Sequence, residues 1–174
     1  GKTTTATQQA QSIIRLQDPD ERGNYDVIAK NRPSLFLQGN TPRLIDEWQD
    51  YPVIWDAVRI EVDKRQLSGQ FILTGSNVVD EIQIRHSGTG RISRLQMGTM
   101  SLWESQESNG TISLSALFDD PQMDFEVLST LSVDDLIFAA CRGGWPAAVC
   151  AKGKNAALSV ARDYVNTVCN SDIM

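Results

Sequence analysis

Apolar positions fall into short strand-like runs in the first half of the chain and into helical spacing in the second. SIIRL (Ser12–Leu16) is a β-branched run and predicts a strand. QDPDERGNYD follows, dense in turn formers and acids, so Asp18, Asp20 and Glu21 are expected in a solvated turn rather than around a metal. A short helix is expected around Tyr25–Phe36, interrupted before Pro33. In TPRLIDEWQDYP (Thr41–Pro52), the pair Leu44-Ile45 runs into Asp46-Glu47, the pattern of a strand emerging from a sheet. Val53, Ile54, Ala57, Val58 and Val62 approximate helical spacing between Tyr51 and Lys64, with Gly69 as the break. QFILTGSN (Gln70–Asn77) carries a near-continuous apolar run, as a parallel strand buried on both faces would. Strand, helix and strand in this order predict an α/β unit with a parallel sheet.

Beyond it, Val78–Gly90 is expected to be a loop or frayed helix, and RISRLQM (Arg91–Met97) alternates like a further strand. Asn109-Gly110 predicts a turn, followed by a short strand and a connector. From Ser132 the character is helical. Ser132 is a cap for a helix from Val133, Asp134 and Asp135 suit its first turn, and Gly143-Gly144 end it. Pro146 suits a first helical position, and Asn155–Cys169 reads as a last amphipathic helix. The boundary is expected near Pro121–Leu131, giving a core over 1–125 and a small helical lid over 126–174.

Length and composition narrow the function classes. A chain of 174 residues can bury one sizeable core, with or without a small appendage. No run approaches the ~20 apolar residues of a membrane span, and no charged-then-apolar leader is present. Cys141, Cys150 and Cys169 are an odd set without a Cys-x-x-Cys pair, so reduced thiols and a cytoplasmic location are expected. The net charge of −6 gives no support to general nucleic-acid binding, which draws on Lys and Arg. His86 is the only histidine, which excludes a histidine metal cluster, and it is expected to be a loop residue.

The chemistry points to phosphoanhydride hydrolysis. The chain opens GKTT, the last part of a phosphate-binding loop of the form Gly-x-x-x-x-Gly-Lys-Ser/Thr. In such a loop Lys2 would reach the β- and γ-phosphates of ATP and the Thr3 hydroxyl would bind Mg2+, with Gly1 and Thr4 beside the nucleotide. Asp46, at a strand end, is placed to hold the Mg2+ ion. Glu47 is placed to orient or deprotonate the attacking water. Thr74, Ser76 or Asn77, ending the next strand, would sit beside the γ-phosphate, although Thr74 could equally be a strand-end cap. Arg91 in HSGTGRI and Arg142 in CRGGWP lie beside glycines at element boundaries; either could neutralise developing charge or form a surface salt bridge.

Taken in order, GKTT, PRLIDEWQDYP with WDAVRIEVD, GQFILTGS, HSGTGRI, SLWES and CRGGWP resemble prokaryotic AAA-like P-loop ATPases that carry a C-terminal domain of unknown function. The resemblance runs over essentially the whole chain. It implies a P-loop NTPase-type parallel sheet with flanking helices, followed by a helical lid. It also implies that Lys2 and Thr3 end the Walker A motif, and that Asp46 and Glu47 are the Walker B pair. Ser76 and Asn77 would end the sensor strand, Arg91 would match a hallmark arginine, for which we infer a finger role, and Arg142 would be a second sensor in the lid. Members of the family have an apolar strand and a glycine-rich turn before Gly-Lys-Thr and continue past Asp172-Ile173. The chain is therefore expected to be an internal fragment lacking the first strand, which leaves unpaired edges on FILTGS and RISRLQM that favour association. Two functions follow. One is a Mg-dependent ATPase in the parent protein, driving a partner or an appended domain, with a homo-oligomer or protein partner in view. The other is a non-catalytic remnant acting as an interaction module.

Overall fold

The computed structural model describes residues 1–75, 88–120, 122 and 128–172. It divides into two compact units, Gly1–Gln96 and Met97–Met174; the expected boundary at 125/126 falls inside the second.

The first unit is α/β. Helix α1 (Lys2–Thr7) leads to β1 (Ser12–Arg15), and α2 (Arg22–Asn31) is followed by a 3-10 turn at Pro33–Leu37. Next come β2 (Arg43–Asp46), a 3-10 turn at Trp48–Asp50, α3 (Val53–Arg65) and β3 (Phe71–Thr74). The strands form one parallel sheet in the order β1-β2-β3. Register is continuous across it: Ile13 faces Leu44, which faces Ile72, and Arg15, Asp46 and Thr74 form the last row. β2 is central, and Leu44 and Ile45 are wholly buried, as a strand covered on both faces requires.

Ile45 joins Leu16, Phe36, Leu37, Ile54 and Val58 in the core, so α3 packs through one stripe while its Ile60 faces out. Tyr25, Phe36 and Tyr51 close the α2 side as an aromatic cluster, Tyr25 meeting each of the other two rings edge to face. Asp56 in the first turn of α3 and Lys64 and Arg65 in its last suit the helix dipole. α3 ends before the expected Gly69: Gln66 adopts the left-handed conformation and its N–H reaches Val62 O, closing the last turn.

Two expected strands are absent among the described residues. Arg91–Met97 has no ladder partner: Ile92 packs on the core, but Leu95 is 94% exposed, so alternation alone does not hold the segment on a sheet. The short strand after Asn109-Gly110 is instead a loop leading to α4 (Leu114–Asp119), because the Ser113 hydroxyl accepts from the Ala116 N–H and caps a helix. The turn itself forms, with Gly110 at positive φ and the Thr111 N–H on Asn109 Oδ1.

In the second unit, α5 (Val133–Arg142) starts where the Ser132 hydroxyl accepts from the Asp135 N–H, and stops at Gly143 with φ 70°. α6 (Pro146–Val149) and α7 (Lys154–Thr167) follow, and a π-helical turn at Val168–Asp172 continues α7. The buried contacts are small, Ala139, Ala148 and Ala157, which lets α5, α6 and α7 approach closely; Trp145 stacks on Tyr164 at 4.7 Å. Gly144 lies directly on the Met100 backbone, and the Met100 N–H donates to Gly144 O at 2.7 Å.

Candidate active site

The last row of the sheet carries the chemistry. α1 rests on β2 and β3 through buried Ala6. Thr3, three positions earlier, shares that face of the helix. Its hydroxyl donates to Asp46 Oδ1 at 2.9 Å. From the neighbouring strand, the Thr74 hydroxyl donates to the same oxygen at 2.5 Å. Asp46 and Thr74 are both buried, so these charge-assisted bonds are formed away from bulk water and fix the carboxylate against two elements at once. In this structure Thr74 anchors Asp46.

The chain turns sharply after β2. Glu47 takes φ 58° and ψ 47°, the left-handed region that side chains seldom occupy and that clusters at functional sites. This turn starts the 3-10 segment Trp48–Asp50, and it brings the side chain of Gln49 back onto Glu47, Nε2 donating to Oε2 at 2.6 Å. Trp48, between them, packs its ring on Trp55 of α3 at 5.0 Å. The oxygen of the Gln49 amide is buried without a hydrogen-bond partner among the described residues, an arrangement that costs about 1–3 kcal/mol. It lies against Gly75, where a Cβ would collide with it.

Asp46 and Glu47 also line an open depression of about 420 Å³, with Arg15, Gln17, Asp18 and Pro19 from the end of β1 forming its far side. Asp18 is held in the expected turn, its carboxylate accepting from the Asp20 N–H.

The structure therefore brings Thr3, Asp46 and Thr74 together, with Glu47 next in the chain. Gly1, Lys2 and Thr4 are exposed at the start of α1. Arg91 is elsewhere: its Nε pairs with Asp63 of α3 at 2.6 Å, a hydrogen bond that raises the guanidinium above its ordinary value. Arg142 belongs to the second unit, buried in a two-point ion pair with Glu107. Ser76, Asn77 and His86 lie outside the described residues. Gln49 was missed by residue typing: in LIDEWQD it stands two positions past Glu47, and only the tight turn makes that spacing a contact.

Among the described residues no group of three or more His, Cys, Asp and Glu is arranged to hold a metal ion by itself. No helix among them is long and apolar enough to cross a membrane. No curated protein and no solved structure matches the chain. A family described as AAA domain matches residues 1–106, which covers the whole first unit, including Thr3, Asp46, Glu47 and Thr74. With more than half of its length inside that match, the chain belongs to the AAA domain family of nucleotide-binding, ATPase-type proteins.

Proposed function

We propose that this chain carries the nucleotide site of an ATPase that binds ATP with Mg2+ and hydrolyses it to move a partner or an appended domain. The observation that carries the reading is the bond between the Thr3 hydroxyl and Asp46 Oδ1, which joins the end of GKTT to the end of β2 across the chain. A hydroxyl and a carboxylate are hard oxygen donors, and Mg2+ takes only one or two such protein ligands, completing its shell with phosphate oxygens and water. The pair therefore fits that ion, and bound there it would neutralise charge on the transferring phosphate.

In this reading Thr74 keeps Asp46 turned toward Thr3. Lys2, exposed beside them, neutralises phosphate, and Gly1 and Thr4 complete the contact. Glu47 orients or deprotonates the attacking water, and Ser76 and Asn77 follow β3 next to the phosphate. Arg91 would exchange Asp63 for phosphate to act as a finger. Arg142, held at two points by Glu107, serves the second unit as a brace, and the helices α5 to α7 act as a lid.

The test is a thermal unfolding scan with and without Mg-ATP, alongside turnover assays. ATP is expected to raise the midpoint, and Lys2→Ala to abolish the rise. Glu47→Gln is expected to keep the rise and lose turnover. A midpoint that nucleotide does not move would end the proposal. The second reading, an interaction module without catalysis, is favoured by the outer edge of β3, which pairs with no strand among the described residues. It expects self-association that ignores nucleotide.

A further inference from the structure

We infer that Gln49 is a positioning residue for Glu47, fixing the carboxylate that the proposed hydrolysis assigns to the attacking water; the inference rests on that reading. A carboxylate only accepts hydrogen bonds, so of the two ends of the Gln49 amide it is the nitrogen that must face Glu47. The 2.6 Å contact from Nε2 to Oε2 meets that demand. The same orientation forces Oε1 the other way, where it is buried against Gly75 with no partner among the described residues. A buried oxygen left unpaired calls for an explanation, and the bond on the other side of the amide supplies it.

Backbone geometry serves the same end. The left-handed turn at Glu47 is what brings a side chain two residues later back onto it. Gly75, with no Cβ, leaves the space the amide oxygen fills. Each acid of the pair is thus held by its own donor: Asp46 by Thr3 and Thr74, Glu47 by Gln49. Holding the group that aligns a nucleophile raises the fraction of bound states ready to react without changing how tightly nucleotide is held.

Gln49→Met keeps the bulk of the side chain and removes the amide. In the full chain it is expected to lower kcat for Mg-ATP by about tenfold to a hundredfold while KM stays within about twofold. Gly75→Ala provides a second variant: its methyl would push the Gln49 amide off Glu47, and the same split is expected with the thermal midpoint largely kept. In a Glu47→Gln background, Gln49→Met is expected to cost nothing further, because it acts through Glu47. An unchanged kcat in both single variants, or a further tenfold loss in the double variant, would overturn the inference while leaving the ATPase reading intact. A wild-type chain without turnover, or with turnover that Glu47→Gln leaves unchanged, would overturn the catalytic reading of Glu47 and this inference with it.

Discussion

The guanidinium of Arg142 meets the carboxylate of Glu107 through two hydrogen bonds, each 2.8 Å long. The arginine also donates from Nε to Gly143 O at 3.1 Å, so the end of α5 is tied both to its own C-terminal turn and to the loop that precedes α4. Arg142→Ala would leave Glu107 without its partner. A fully buried pair broken on one side costs about 3–5 kcal/mol, but the Glu107 side chain is 24% exposed, so about 2 kcal/mol is expected. Chemical denaturation measures it, and a loss within experimental error would reduce the pair to a surface contact. Arg142→Lys is expected to recover only part, since a single ammonium cannot bridge both oxygens.

The same pair sets an acid response. The Arg142 hydrogen bonds, with a smaller contribution from Ser105, hold the Glu107 carboxyl below its ordinary value of 4.5. The unfolded chain therefore binds this proton more readily than the folded one. The stabilisation is complete above pH 4.5, begins to fall below that value, and is lost as pH drops through the folded value. Glu107→Gln is expected to flatten that part of an acid-unfolding curve. An identical curve for the variant would refute the assignment.

At the candidate site, the hydroxyls on Asp46 separate stability from chemistry. Asp46→Asn retains an oxygen acceptor for Thr3 and Thr74 and is expected to keep the fold while losing the charge that suits Mg2+. Asp46→Ala strands the buried Thr74 hydroxyl and is expected to cost about 1–3 kcal/mol besides. Equal stability of the two variants would show that the bonds contribute little.

Gly144 makes a steric prediction of its own. A methyl group there would fall on the Met100 carbonyl oxygen, which is backbone and cannot swing aside. Gly144→Ala is expected to destabilise the second unit by about 1–3 kcal/mol and to break the Met100–Gly144 hydrogen bond. Gly98→Ala, with open space around it, is the control and should change little.

The parts of this fold that could be read from sequence are those set locally. Leu44-Ile45 announces a buried strand because a strand covered on both faces has no polar alternative; Phe71–Leu73 announces a strand by the same pattern, but β3 stands at the edge of the described sheet and these three residues are only half-buried. Ser132 with Asp134 and Asp135 announces a helix start because the Ser132 hydroxyl accepts the Asp135 N–H and the two acids suit the positive end of the helix dipole. Arg91–Met97 misled because alternation describes a strand's surface and says nothing of whether a neighbour exists to complete its hydrogen bonds. Within the site, Asp46 and Thr3 were legible as types in motifs. The partners of Arg142 and Arg91 were not, since Glu107 lies 35 positions from the one and Asp63 lies 28 positions from the other. Gln49 escaped for the opposite reason: it is too near Glu47 for regular structure to bring the two together.

The packing of Trp48 on Trp55 has an optical consequence. Two indoles at 5.0 Å with their planes inclined by 33° are close enough for their electronic transitions to couple. Trp48 stands in the chain between Glu47 and Gln49, so a shift of that turn must alter the coupling. The near-ultraviolet circular dichroism of the unlabelled protein thus carries a signal from the carboxylate turn, and Trp48→Phe identifies which part of the spectrum it is.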